Sequence, residues 1–213
     1  ILTALIFTPV LGALAVLFTP RARPDMARAV GLAAAFATLG FALWLMFEFP
    51  RHEAGFEAVE SISWMRSLGI SYTLGVDGIS LFMVVLSAVL FAVGLLASMT
   101  EPRAKSFMMW MLILEGAVIG TFLALDLVLF FVFFEFVLVP MYFLIAGWGH
   151  GRRVYAATKF FLFTMTGSAF LLVGILAVGF LHRSDTGVLT FDWATLVEWA
   201  PKGLDPSVAK WLF

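Results

Sequence analysis

The 213-residue chain is 62% hydrophobic and only 13% charged, with a formal net charge of −1 and no cysteine. That composition excludes an ordinary soluble globular domain. The near-neutral charge gives no electrostatic footprint for nucleic acid or an anionic surface, and the missing thiols exclude disulfides, cysteine-ligated zinc and iron–sulfur clusters on this chain. The 24 Phe and 7 Trp suit lipid-facing surfaces and interfacial belts.

In chain order, residues 2–19 form a first apolar span that ends at Pro20. No basic n-region or small-residue cleavage site follows Ile1, so a signal peptide is not expected. A basic link holding Arg21, Arg23 and Arg28 leads to a second span over about 29–49. Residues 51–77 are polar and mixed, and the alternation around Ile62–Trp64 and Ile70–Tyr72 predicts a short hairpin. Asp77 is placed to cap a third span, 79–99. Glu101, Arg103 and Lys105 link it to a fourth, about 106–125, which contains Glu115.

The fifth span runs from Leu127 to Gly147, 21 residues among which only Glu135 is charged. It is followed by His150, Arg152 and Arg153 and a sixth span, about 154–181, with Lys159 near its start. The polar segment 182–205 contains Phe191, Trp193, Leu196 and Val197, spaced for a short interfacial helix. Asp205-Pro206 then opens a further helix, with Asp as N-cap and Pro at the first helical position, that stops at Phe213 and reads as truncated. The fold class expected is an all-α polytopic membrane protein of six transmembrane helices plus the start of a seventh. Basic residues concentrate in the links after spans one, three and five, so those links are expected on the cytoplasmic side and the N-terminus on the external side.

Glu135 is the sharpest chemical signal. A helix rising about 1.5 Å per residue puts it roughly 12 Å from one end of its span and 18 Å from the other. A carboxylate at such depth costs about 3 kcal/mol on insertion scales, so it normally faces protein or water and serves ion or proton movement. Pro140 has no N–H for the carbonyl of Phe136 and predicts a kink just beyond the acid. Glu115 lies at a similar depth in the antiparallel fourth span, where it either flanks the same hydrated pocket or serves packing. Lys159 reads as a proton-relay cation or as a side chain snorkelling to the interface. Thr166, on the same stripe as Lys159, Ser168 and Tyr142 line a hydrated path, unless the hydroxyls serve as helix–helix glue. His52, His150 and His182 fall outside the spans or at their ends, which leaves no intramembrane pair for haem. No phosphate loop, Ser-His-Asp arrangement or HExxH metal motif is present.

Phe133-Phe-Glu135-Phe-Val-Leu-Val-Pro140-Met-Tyr-Phe-Leu-Ile-Ala-Gly-Trp148-Gly149, followed by Ala156-Ala-Thr-Lys159-Phe-Phe-Leu-Phe-Thr, closely resembles the antiporter-like subunit M family of respiratory complex I, the NADH:quinone oxidoreductase. Gly75-Val-Asp77-Gly78-Ile-Ser80 and Ala124-Leu-Asp126 match the same family, and the resemblance covers nearly the whole chain. It implies inverted repeats with broken helices, of which residues 105–213 form the start of the first repeat, after N-terminal helices and an external loop at 51–77 in residues 1–104. It further implies proton translocation through Glu135, Lys159 and Glu115, with a partner lysine on a seventh helix beyond Phe213. No cofactor is expected on this chain: NADH, flavin, iron–sulfur clusters and quinone are implied on partner subunits. Antiporter-like subunits L and N are implied as neighbours, in a bacterial inner membrane. A cation/proton antiporter subunit, a membrane-hydrogenase subunit or a structural spacer of the membrane arm are the alternatives.

Overall fold

The computed structural model describes residues 1–20, 22–49 and 55–204. Seven helices and one hairpin make up this part of the chain: α1 (Leu2–Phe18), α2 (Pro24–Glu48), β1 (Glu57–Met65), β2 (Ile70–Val76), α3 (Gly78–Ala97), α4 (Ala104–Leu123), α5 (Leu127–Trp148), α6 (Arg153–Thr186) and α7 (Trp193–Gly203). Helices α2 to α6 are each long and apolar enough to cross a membrane, and α1 is a shorter apolar helix of 17 residues. The chain is therefore a helical, multi-pass membrane domain. The helix start expected at Asp205-Pro206, and the polar residues Arg51, His52 and Glu53, lie outside the described residues.

Local chemistry explains the element ends. Asp77 caps α3 in a capping box, its carboxylate accepting from the Ser80 N–H at 2.7 Å while the Ser80 hydroxyl accepts from the Asp77 N–H at 2.9 Å. Helix α6 extends five residues past the span expected from hydropathy. Nothing in His182-Arg-Ser-Asp-Thr186 breaks a helix, and it stops only at Gly187, which takes φ +80° and donates its N–H to the carbonyl of Arg183. The interfacial helix expected around Trp193 is α7, begun by Asp192, whose carboxylate accepts from the Thr195 N–H at 2.9 Å.

Helices α1 to α4 form a bundle; α5 packs on α4, and α6 on the far side of α5. Two apolar clusters are stacked inside the bundle. One, at the hairpin end, joins Leu5, Ala42, Leu45, Val84, Ala88, Ile119 and Leu123. The other, toward the opposite end, joins Ala13, Val16, Ala35, Ala92, Leu95, Met108 and Leu112. Apolar surface on α3 and α6, such as Phe82, Leu90, Phe163 and Phe170, is exposed, as lipid or further protein requires.

Strands β1 and β2 pair antiparallel, with Ile62 opposite Tyr72, and this hairpin knits one end of the bundle together. Glu60 accepts from the N–H groups of Leu2 and Thr3 at 3.0 and 3.1 Å, satisfying the free donors at the start of α1. Leu125 donates its N–H to the carbonyl of Thr73, Leu127 to Phe191, Phe191 to Gly69 and Trp193 to Leu125. Asp126, 0% exposed, sits at the centre of this junction. Its carboxylate accepts from the N–H groups of Val128 (2.9 Å) and Leu129 (3.1 Å) and from the N–H (2.9 Å) and hydroxyl (3.2 Å) of Ser71.

Gly69 closes the hairpin at φ +65°, and a Cβ there would lie 2.0 Å from the carbonyl oxygen of Leu189. The left-handed backbone alone costs a non-glycine residue about 1–3 kcal/mol. Gly69→Ala is thus expected to lower the denaturation midpoint of the full-length protein by several degrees, an unchanged midpoint contradicting this packing. At the other end, Arg103 and Arg153 both donate to the Gly147 carbonyl, at 2.6 and 2.9 Å, and Arg103 lies over the Trp148 ring at 4.6 Å. Cations are favoured there because the last carbonyls of α5 are otherwise unpaired.

Candidate functional site

Glu135 lies eight residues into α5, roughly 12 Å from the hairpin end. Which way it faces follows from its neighbours one and two turns away. Tyr142, seven residues on and therefore within about 20° of the same stripe, packs edge-on against Phe161 of α6, with ring centroids 5.9 Å apart. Val128, seven residues back, joins a cluster with Ile175 of α6. Stepping seven residues from Phe161, or back from Ile175, reaches Ser168, which is buried. Glu135 and Ser168 therefore occupy facing stripes at one level of the α5–α6 contact. Oε1 of Glu135 is buried and, among the described residues, has no hydrogen-bond partner. The Ser168 hydroxyl donates to the carbonyl of Met165 at 3.0 Å, which leaves its oxygen free to accept.

Pro140 is buried within α5 and, like any helix proline, leaves the carbonyl four residues back without its usual donor. That carbonyl is the one next to Glu135, on Phe136. Pro140 is seven residues from Phe133, which meets Gly120 of α4, so this carbonyl lies toward the α4 side of α5, while the acid and the Ser168 hydroxyl are the polar groups of the α5–α6 contact. A pocket of about 370 Å³ lies further toward the Trp148 end of α5, lined by Val139, Tyr142, Phe143, Thr158, Phe161 and Leu162, with neither Glu135 nor Ser168 in its lining.

The remaining candidates divide. Lys159 and Thr166 share a stripe on the opposite side of α6, about 180° and 160° from Ser168. Both are exposed and line an open groove with Tyr155 and Phe163. Lys159 is also nearer the opposite end, six residues into α6, so this chain does not bring it to Glu135.

Glu115 is 0% exposed, and neither carboxylate oxygen has a hydrogen-bond partner among the described residues. Gly120 and Trp110 mark the face of α4 that meets α5: a Cβ on Gly120 would touch the Phe133 ring at 2.5 Å, and Trp110 stacks on Phe143 at 4.3 Å. Each is five residues from Glu115, about 140° away in opposite senses. Glu115 thus points away from α5, into the α1–α4 bundle. Gly120→Val, which forces a branched side chain into the Phe133 ring, is expected to destabilise the α4–α5 contact by about 1–3 kcal/mol. Thermal inactivation of the assembled protein reads this, and unchanged stability would contradict the close approach.

Among the buried hydroxyls that escaped the sequence reading are two within the spans, Thr38 of α2 and Ser87 of α3. The available signal was a lone polar residue in an otherwise alanine- or valine-rich span.

Polar groups buried in a helical membrane domain, one at a proline, are features of transport proteins. Residues 124–200 of the chain match the model of the NADH:quinone oxidoreductase/Mrp antiporter transmembrane family. The chain is similar to subunit M. It is 39% identical over 227 residues to NADH-quinone oxidoreductase subunit M of Pseudomonas aeruginosa, covering 100% of this chain and 44% of that protein. It is 41% identical over 182 residues to NADH-ubiquinone oxidoreductase chain 4 of Arabidopsis thaliana, covering 84% of this chain and 37% of that protein. Among solved structures it matches a chain of respiratory complex I from Thermus thermophilus with bound NADH. There the TM-score is 0.83 and the identity 27%, over 100% of this chain and 41% of that one. The chain spans less than half the length of these relatives.

Proposed function

We propose that this chain is part of a proton-translocating membrane-arm subunit of an NADH:quinone oxidoreductase, and that Glu135 is its proton-carrying group. The observation that carries this reading is the placement of one carboxylate at mid-depth of α5, facing α6 at Ser168, with a buried oxygen that no described residue pairs. Such a group holds a proton or a positive partner, because an isolated charge in hydrocarbon is costly. A cation brought near and then withdrawn changes how readily the carboxylate keeps its proton. A lysine of the longer protein, on a helix after Phe213, is the natural partner, by resemblance to the family. Tyr142 and Ser168 line the same contact and serve the proton path. Lys159 and Thr166 face outward from α6 and serve it through whatever covers that face.

In this reading the described spans, with α1, make six crossings, a seventh starts near Asp205, and the N-terminus is external in a bacterial inner membrane. Residues 1–104 precede a first antiporter-like repeat that begins at 105. Subunits of the L and N type adjoin it, and NADH, flavin, iron–sulfur clusters and quinone belong to partner chains. Neutralising Glu115 and Glu135 together in the full-length subunit tests the function. Loss of the proton gradient in vesicles driven by NADH supports translocation here, and a wild-type gradient makes the chain a spacer. The family description also names Mrp antiporters, so cation/proton exchange is the second reading. Co-purification with redox subunits favours the first, and with antiporter subunits alone the second.

A further inference from the structure

We propose that the α1–α4 bundle holds a second intramembrane hydration site, separate from Glu135: an ordered water bound by Glu115 together with Thr38 and Ser87. The packing sets these residues within about one helical turn of one another in depth. A Cβ on Gly31 of α2 would lie 3.2 Å from Met108 of α4. Seven residues further along these parallel helices, in nearly the same phase, stand Thr38 and Glu115. Gly94 of α3 approaches Met111 of α4 at 3.7 Å. Seven residues back along α3, Ser87 falls about one turn closer to the hairpin than Glu115. All three are buried, and all lie where the two apolar clusters meet: Thr38 between Ala35 and Ala42, Ser87 between Val84 and Ala92, Glu115 between Leu112 and Ile119.

Helix α1 completes the level. A Cβ on Gly116, next to Glu115, would lie 2.8 Å from the carbonyl oxygen of Ile6 and 3.5 Å from Pro9. Pro9, buried within α1, has no N–H for the carbonyl of Leu5. The freed carbonyl of Leu5 thus lies near the level of Gly116, the residue that follows Glu115.

The chemistry of the set names its ligand. The Thr38 hydroxyl donates to Ala34 at 3.1 Å and the Ser87 hydroxyl to Met83 at 2.7 Å, so each has only lone pairs left to offer. The carbonyl of Leu5 is an acceptor too, and Glu115, buried with no cationic partner among the described residues, is neutral there and offers one O–H and one carbonyl oxygen. A buried layer with one O–H donor and several acceptors calls for a small molecule that accepts that O–H and donates twice, which is water. The inference does not depend on the role of Glu135.

A cryo-electron microscopy map of the intact assembly, at a resolution that shows ordered water, tests it. The expected result is a water peak about 2.5–3.0 Å from a Glu115 oxygen and from the hydroxyl of Thr38 or Ser87. The peak should persist in Glu135→Gln and vanish in Glu115→Leu. A Glu115 carboxyl bonded directly to Ser87, Thr38 or another protein group with no water between would overturn the proposal, as would a dry layer. Should Glu115→Leu fail to assemble, the wild-type and Glu135→Gln maps still decide it.

Discussion

Glu135→Gln in the full-length subunit is expected to abolish proton pumping coupled to NADH oxidation while the assembly still forms. Glutamine keeps the volume of the side chain and its ability to accept a hydrogen bond, so the contact of α5 with α6 at Ser168 survives. What is lost is the capacity to gain and release a proton, and α5 holds no other charged group to substitute. Positioned proton-transfer groups contribute about 10²–10⁴-fold in rate, so the residual pumping rate should fall by at least about 10²-fold. Proton uptake by inverted vesicles gives the rate, and native electrophoresis gives the amount of assembled protein. Pumping at the wild-type rate from a normally assembled variant would remove Glu135 from the mechanism.

Asp126→Ala should act in the opposite way, through the fold. Four donors converge on this fully buried carboxylate: the N–H groups of Val128, Leu129 and Ser71, and the Ser71 hydroxyl. Removing it leaves the start of α5 without its cap and orphans the donor from β2 in the junction between hairpin, α5 and α7. Each buried donor left unmade costs about 1–3 kcal/mol, which sums to about 3–5 kcal/mol when partial access of water is allowed for. Losses of that size exceed much of the stability of an ordinary domain. The yield of assembled protein is therefore expected to collapse, while pumping per assembled unit stays near normal. A well-assembled variant with lost pumping would instead make Asp126 a transport group.

Glu115 and Glu135 show how much of the fold the sequence carries. Depth was legible: a lone Glu eight residues into a 22-residue apolar helix is deep wherever that helix packs. So was the cap at Asp77, because a short acidic side chain ahead of an apolar run has one dominant use. The hairpin was legible from alternation, and the helix at Trp193 from its aromatic spacing. Facing was not legible. Helices α4, α5 and α6 are apolar all round, so periodicity does not tell a side that meets protein from one that meets lipid. Glu115 and Glu135 share a depth, yet contacts made by Gly120 and Trp110 turn Glu115 away from α5, and contacts made by Phe161 and Ile175 turn Ser168 toward it. Lys159 and Thr166 share a stripe, as their spacing requires, and that stripe faces out. Thr38 and Ser87 were missed for the same reason: a hydroxyl that bonds its own helix carries no sign of where it points.

Infrared difference spectroscopy of the reconstituted assembly during turnover watches the carboxyl group itself. Proton transfer through Glu135 predicts a carbonyl-stretch band of a protonated carboxyl that appears or decays with pumping, shifts in heavy water and is absent from Glu135→Gln. The same band, undiminished in that variant, would contradict the assignment.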